Sequence, residues 1–168
     1  SIPQLKLAEL LIEHSCFDRV YFMNSGAEAD EGALKLARKW GKEKKAGAYE
    51  VICAENAFHG RTLQMITAGG TERYKAPFGP LPEGFLHVPF NDVDAVKRAT
   101  TSKTVAVFME PIQGEGGIIV PDDEYFKQLR AWCDEQNILL IFDEVQTGCG
   151  RVGTLFAYEL YGVEPDIM

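Results

Sequence analysis

The sequence lacks the features that define several simple classes of protein. No apolar run approaches the roughly 20 residues that a membrane-spanning helix needs. No internal repeat and no low-complexity segment occurs, and 46% hydrophobic with 25% charged residues is an ordinary globular composition. These absences argue against membrane, disordered and collagen-like classes. The 168 residues suffice for one domain, or part of a larger one, with a buried core.

Cysteine is sparse and never closely paired. The four cysteines, Cys16, Cys53, Cys133 and Cys149, form no C-x-x-C motif, so neither a zinc ribbon nor a thioredoxin-like redox site is predicted. We predict no metal site. Widely spaced cysteines suit a reducing compartment, and we expect a cytoplasmic protein.

Basic residues are also in deficit. Lys and Arg number 17 against 25 Asp and Glu, which gives a net charge of −8. An acidic chain repels phosphate backbones, and this argues against general nucleic-acid binding. Small anionic ligands remain possible, because local backbone dipoles can bind them.

Neither end carries a recognisable signal. The chain begins at Ser1, without an initiator Met or a signal-peptide pattern, and stops at Met168, within an apolar stretch. We therefore expect both ends to be cuts and the chain to be part of a larger polypeptide.

The remaining sequence alternates between helical and strand patterns. Helices are predicted from 2 to 14, from Ser25 to the region of Gly41, from Asp92 to Thr100, and from Asp122 or Asp123 to Gln136. Strands are predicted at 20–23, 51–54, 86–90, 105–109 and 138–142. Continuous apolar strands alternating with amphipathic helices predict a three-layer α/β/α fold with a mostly parallel sheet.

Two further patterns lie between these elements. Ser25 and Glu28 match a capping box at the start of the second helix. The face of that helix predicted to point inward consists of Ala29, Ala33, Leu36, Ala37 and Trp40. The Gly/Pro-rich stretch at 69–84 predicts a long functional loop rather than a domain boundary.

Three loops could carry chemistry, because ligands of open α/β sheets lie beyond the carboxyl ends of the strands. The helix start at 24–27 could bind a phosphate or be an ordinary cap. Asp143 follows a buried strand and needs a partner. That partner could be a protonated ring nitrogen of a cofactor, or Asp143 could be a helix cap or a member of a structural ion pair. The loop at 110–117, with two acids and three glycines, could surround a ligand or be an acidic turn.

The segment at 148–153 matches G-x-G-x-x-G. A dinucleotide site would need this motif directly after the strand, whereas 143–147 intervene. We therefore do not predict a nicotinamide site there.

Six segments in order resemble the class III aminotransferases, which are pyridoxal-phosphate enzymes of fold type I. They are 24–29, 58–62, 78–81, 110–117, 143–148 and 165–168. The resemblance runs along essentially the whole chain and is greatest to the branch that acts on N-acetylornithine. It implies that 1–168 form part of the large domain. Asp30 and Gly32 depart from the family pattern, which has Asn and Ala there.

The resemblance implies pyridoxal 5′-phosphate as the cofactor and seven residues around it: Ser25, Gly26, Ala27, Phe58, Asp143, Val145 and Gln146. The first three would cradle its phosphate. Phe58 and Val145 would cover the two faces of its ring. Asp143, the catalytic residue, would keep the ring nitrogen protonated, and Gln146 would contact the phenolic oxygen.

The resemblance also implies a substrate side of the site. Arg61 would bind a substrate carboxylate through two parallel hydrogen bonds, unless it is a solvated surface residue. Glu115 resembles the acid that pairs with a carboxylate-binding Arg of the family outside this chain. Glu110 and His59 would have supporting or structural roles, and Glu144 would support its loop.

The implied reaction is transfer of an ω-amino group from N-acetylornithine to 2-oxoglutarate, in arginine biosynthesis, by a homodimer. Ornithine, 4-aminobutyrate and succinyl-diaminopimelate remain open as amino donors. We expect the Lys that forms the Schiff base with the cofactor to lie beyond Met168. We also expect the N-terminal segment and the small C-terminal domain to lie outside this chain. The 168-residue piece alone is then expected to be an inactive fragment.

Overall fold

A computed structural model describes all of residues 1–168 and contains one sheet of four parallel strands. The strands are β1 (Glu50–Ala54), β2 (Phe85–Val88), β3 (Thr104–Met109) and β4 (Leu139–Phe142). Their order across the sheet is β2-β1-β3-β4. The predicted parallel α/β architecture is confirmed, as are four of the five predicted strands.

Seven helices and one 3₁₀ turn surround the sheet. They are α1 (Ile2–Glu13), α2 (Gly26–Lys44), α3 (Leu63–Ala68), α4 (Glu72–Lys75), the turn Ala76–Phe78, α5 (Val93–Ala99), α6 (Tyr125–Gln136) and α7 (Ala157–Tyr161). None of the helices combines the length and apolarity needed to cross a membrane.

The strands read as continuous apolar runs because both faces of the sheet are covered. Along β1, Val51 and Cys53 join a core cluster that includes residues of α2, whereas Ile52 and Ala54 join the cluster that includes residues of α6. Successive side chains of a strand point to opposite faces. Two cores, one on each face, are what the predicted three layers require.

Residues 20–23 do not form the predicted strand. No strand of the sheet pairs with this segment, and Tyr21 is 81% exposed. The stretch at 69–84 is also more ordered than a plain loop, because it contains α4 and the 3₁₀ turn.

Of the three predicted helix caps, two are confirmed and one is wrong. The Ser25 side chain accepts a hydrogen bond from the Glu28 amide at 3.2 Å, and Asp92 accepts one from the Ala95 amide at 2.8 Å. Such bonds satisfy amides that the helix itself leaves free. Helix α6, however, begins after Glu124, and neither Asp122 nor Asp123 caps it.

The predicted inward face of α2 is right in part. Ala37 is buried, and Ala33 and Trp40 pack against the core cluster on that side of the sheet. Leu36 is 55% exposed and Ala29 is exposed, whereas the buried residues are Asp30, Leu34, Ala37 and Gly41. A polar side chain therefore begins the buried stripe. At its other end a Cβ on Gly41 would overlap the Ala48 carbonyl oxygen, so only glycine allows this contact.

Candidate functional site

The loops singled out in the sequence meet at the carboxyl edge of the sheet. The Phe58 amide, in the loop after β1, donates a hydrogen bond to the Glu110 Oε2, after β3, at 3.1 Å. His59 Nδ1 lies 2.7 Å from Asp143 Oδ2, after β4. Because parallel strands end at the same edge, distant residues become neighbours here.

Asp143 is the centre of this arrangement. It is 5% exposed, and the Val145 amide donates a hydrogen bond to its Oδ1 at 3.0 Å. The His59 ring, which faces Oδ2, stacks on Phe108 with 3.9 Å between centroids. The imidazole is thus fixed by packing and orients the carboxylate, while its own Nε2 is buried without a partner.

Asp30, on α2, is a member of this cluster that the sequence reasoning missed. It is 6% exposed, and one polar atom each of Asp30, His59 and Asp143 lie within 4.8 Å of one another. Burial, followed by repulsion from Asp143, raises the pKa of Asp30 to about 10. Its departure from the family pattern was the only signal in the sequence.

The start of α2 borders the same site. A Cβ on Gly26 would lie 2.8 Å from the Val145 Cγ1, and a Cβ on Gly60 would lie 2.5 Å from that of Ala27. The Ala29 amide bonds to the Ser25 carbonyl, so the amides of Gly26 and Ala27 precede the first helical hydrogen bond. Two free amides therefore stand beside the loop after β4.

Glu110 is buried and connects the loop after β1 to the loop after β3. It is 3% exposed, and its oxygens accept hydrogen bonds from the amides of Phe58 and Gly114. Burial is the largest cause of a raised pKa at Glu110. The side chain of Gln146 packs against Gly114, where a Cβ would overlap it.

Glu144 points away from this cluster. It is 8% exposed and accepts hydrogen bonds from Thr147 Oγ1 and from the amides of Ala157 and Tyr158, each at 2.8 Å. It thus ties the loop after β4 to the first turn of α7. The G-x-G-x-x-G segment at 148–153 lies between them in turns and opens no helix.

Arg61 and Phe58 line a cavity of about 460 Å³ beside the cluster. The Arg61 guanidinium carbon lies 5.9 Å from the centre of the Phe58 ring, and Arg61 forms no ion pair. Tyr74 lines the same cavity and donates a hydrogen bond to Glu115 Oε1 at 3.1 Å. The two predicted substrate residues thus belong to one region.

The other large cavity contains none of the predicted residues. It has a volume of about 720 Å³ and lies between α6 and the segment from α7 to Asp166. Arg130 lines it and is already paired with Asp134 and Asp166, at 2.8 Å each. We therefore take the carboxyl edge of the sheet as the candidate functional site.

The segment that ends at Met168 runs beside β4. The Phe142 amide donates a hydrogen bond to the Ile167 carbonyl at 3.0 Å, and Ile167 forms an isolated parallel bridge with Ile141. Met168 follows this pairing, is 37% exposed and lines neither of the two cavities. Met168 is therefore not itself a residue of the site, and the Lys expected beyond it stays a prediction.

The fold is a parallel α/β domain of the kind found in aminotransferases. The family described as "Aminotransferase class-III" matches residues 1–168. The chain therefore belongs to the class III aminotransferases.

Curated relatives and solved structures agree with this assignment. The acetylornithine aminotransferase of Methanocaldococcus jannaschii is 56% identical over 100% of this chain and 42% of its own length. The acetylornithine aminotransferase of Ralstonia nicotianae is 52% identical over 99% of this chain and 43% of its own length. The ornithine aminotransferase of Toxoplasma gondii ME49 superposes with a TM-score of 0.92 at 40% identity, over 96% of this chain and 40% of that structure. The chain thus spans about two fifths of the length of these relatives.

Proposed function

We propose that the protein containing this chain is a pyridoxal-phosphate-dependent aminotransferase that moves the ω-amino group of N-acetylornithine to 2-oxoglutarate, in arginine biosynthesis. The observation that carries the proposal is the buried Asp143 carboxylate at the end of β4, held by His59 beside the free amides of α2. The relatives named acetylornithine aminotransferase, at 51 to 56% identity, support the choice of substrate.

The residues present fit this cofactor. Val145 is an apolar side chain that is 62% exposed beside a buried carboxylate, which suits one face of a flat ring. The free amides of Gly26 and Ala27, with the positive end of the α2 dipole, suit a phosphate. The lack of a Cβ at Gly26 allows α2 to approach Val145 closely. The Toxoplasma ornithine aminotransferase, at 39% identity in a second structure, is described with pyridoxal phosphate in its active site.

When bound, the cofactor supplies an electron sink for the pair left when the C–H bond beside the amino group breaks. In our proposal the Asp143 carboxylate holds the proton on the ring nitrogen. His59 donates from Nδ1 to Asp143 Oδ2 and keeps that carboxylate in place. Phe58 and Val145 would cover the two faces of the ring and exclude water from them, and Gln146 would hydrogen-bond the phenolic oxygen.

The proposed binding of the substrate rests on complementary charges. Both N-acetylornithine and 2-oxoglutarate carry carboxylates, and Arg61 is a guanidinium without an acidic partner at the cavity wall. We propose that Arg61 binds the substrate carboxylate. Glu115, held by Tyr74, is proposed to pair with a cationic residue of the same site.

Replacing Arg61 with Ala is expected to raise the KM for N-acetylornithine by about 10- to 100-fold, because losing the charged contact as a whole costs roughly 1.5–3 kcal/mol of binding free energy. Steady-state kinetics of the full protein measure this change. Arg98→Ala is the matched control, since that side chain is 71% exposed on α5. A normal KM with a reduced kcat would mean that Arg61 does not bind the substrate.

The reaction itself is tested by glutamate formation from 2-oxoglutarate, with purified full-length protein and pyridoxal phosphate. We expect the highest kcat/KM with N-acetylornithine among four donors, the others being ornithine, 4-aminobutyrate and succinyl-diaminopimelate. A preference for ornithine would make this a sister enzyme, a second candidate that the 40% identical Toxoplasma structure favours. No glutamate with any donor would refute the proposal.

We further propose that 1–168 form part of the large domain of a cytoplasmic homodimer, and that a Lys beyond Met168 makes the covalent link to the cofactor. The pairing of Ile167 with β4 supports the second point, because it brings Met168 to the strand that Asp143 follows. The four free cysteines suit a reducing compartment.

Helix α1 supports the larger assembly. It has no buried residue, which suits contact with the rest of the protein or with a second copy. Its exposed large apolar residues are Ile2, Leu5, Leu7, Leu10 and Ile12.

A further inference from the structure

The buried cluster at the carboxyl edge contains more acid than base. Asp30, Asp143 and Glu110 are 6%, 5% and 3% exposed, and His59 is the only basic group among them, at 2%. No Lys or Arg pairs with any of the three carboxyls. One imidazole can balance at most one carboxylate, and a buried acid without a counter-charge takes up a proton instead.

The contacts indicate which acid carries the proton. Asp143 accepts a hydrogen bond from the Val145 amide and faces His59, as a carboxylate does. Each carboxyl oxygen of Glu110 accepts a hydrogen bond from a backbone amide. Asp30 accepts no hydrogen bond from an amide and pairs with no cation, and one of its carboxyl oxygens lies within 4.8 Å of a carboxyl oxygen of Asp143. Two buried carboxylates repel each other when they are close together, so the stable state has one neutral acid and one carboxylate, and the neutral acid can donate a hydrogen bond to the carboxylate.

We propose that Asp30 is a positioning residue, which remains a neutral carboxylic acid and donates a hydrogen bond to Asp143, so that Asp143 is held from two sides, by His59 and by α2. This inference rests on the proposed function, in which Asp143 faces the ring nitrogen of the cofactor. It adds a residue that does not itself touch the cofactor.

A neutral donor has an advantage at this position. A Lys or Arg beside Asp143 would also orient it, but would cancel the negative charge that attracts a protonated ring nitrogen. A carboxylic acid orients Asp143 and leaves its charge intact. Asp30 also lies about one helical turn, roughly 6 Å along the axis, from Gly26. Helix α2 thereby connects the phosphate end of the proposed site to its ring-nitrogen end.

The first test compares Asp30→Ala with Asp30→Asn in the full-length protein. Ala removes the donor, and we expect the dissociation constant for pyridoxal phosphate to rise by about 10- to 100-fold, with a shift in the pH titration of the bound-cofactor absorbance. Asn restores a neutral donor of the same shape, so Asp30→Asn should recover most of the cofactor affinity and most of the original pH titration. Unimpaired Asp30→Ala, or Asp30→Asn as impaired as Ala, would overturn the proposal. Tighter binding of pyridoxal phosphate by Asp30→Asn than by the wild type would also overturn the proposal, because that result would indicate that Asp30 is ionised.

The second test needs no cofactor. A proton is bound to Asp30 in the folded state but not in the unfolded state above the ordinary pKa, so wild-type stability falls as pH rises towards the folded pKa of about 10. Asp30→Asn lacks this dependence. The groups facing Asp30, namely Asp143, Glu110, Glu31 and His59, are present in both proteins. We therefore expect the difference in urea midpoint, in favour of Asp30→Asn, to widen from about pH 6 to about pH 9.

A constant difference across this pH range would mean that Asp30 is ionised in the folded protein and would overturn the proposal. Failure of the proposed function and failure of the proposal for Asp30 give different results. If wild-type protein fails to bind pyridoxal phosphate, the proposed function fails, whereas the pH dependence of unfolding still decides whether Asp30 is a neutral acid.

Discussion

Replacing Asp143 with Asn is expected to lower kcat/KM for transamination by about 10²- to 10⁴-fold. Removing one member of a buried charge pair costs roughly 3–5 kcal/mol, and each 1.4 kcal/mol is a factor of ten. In the proposed site that pair is the Asp143 carboxylate and the protonated ring nitrogen. The amide of Asn cannot hold the proton there.

The same substitution is expected to affect folding far less. Asn keeps an oxygen that can accept the hydrogen bond from His59 or from the Val145 amide, and it removes a negative charge beside Asp30. Asp143→Ala should likewise weaken catalysis more than folding. Steady-state kinetics and thermal unfolding separate the effects, with Asp94→Asn, 78% exposed on α5, as the control. Unchanged turnover in Asp143→Asn would remove Asp143 from the mechanism.

Replacing the neighbouring Glu144 with Ala is expected to have the opposite result, a loss of about 3–5 kcal/mol in the free energy of unfolding. Its carboxylate accepts hydrogen bonds from the buried amides of Ala157 and Tyr158 and from the Thr147 hydroxyl. A buried donor left without a partner costs roughly 1–3 kcal/mol. Three donors lose their acceptor in this variant.

Urea unfolding of Glu144→Ala, Glu144→Gln and Thr147→Val measures these contributions. Gln keeps one amide oxygen as an acceptor and should lie between Ala and wild type. Thr147→Val removes only one donor and should cost about 1 kcal/mol. If Glu144→Ala unfolded within about 1 kcal/mol of wild type, Glu144 would not anchor α7.

The sequence predicted the sheet well because both of its faces are buried. An apolar run such as 138–142 is recognisable where each side chain enters a core. The run at 20–23 looked similar but is not a strand, because a strand also needs a neighbour, and local sequence does not specify neighbours. The inward face of α2 was predicted only in part, because a carboxyl, that of Asp30, occupies a buried position that a search for apolar residues passes over.

The candidate site was predictable in outline. Asp143 stood out because an acid directly after a buried strand needs a partner, and the structure places it against His59. That partner, like the contact with Asp30, depends on how β1, α2 and β4 come together, which spacing along the chain does not reveal. The roles of Gly26 and Gln146 towards a cofactor stay predictions.

The strand order has a consequence for how the chain reaches this structure. Each neighbouring pair in the sheet is parallel, and long segments separate the partners, 55–84 between β1 and β2 and 110–138 between β3 and β4. No hairpin can form first, so loop-closure entropy is lost before any ladder stabilises the chain. We accordingly expect folding to be slow for a chain of this size, and we expect early intermediates with unpaired apolar strands to aggregate when refolding is carried out at high protein concentration.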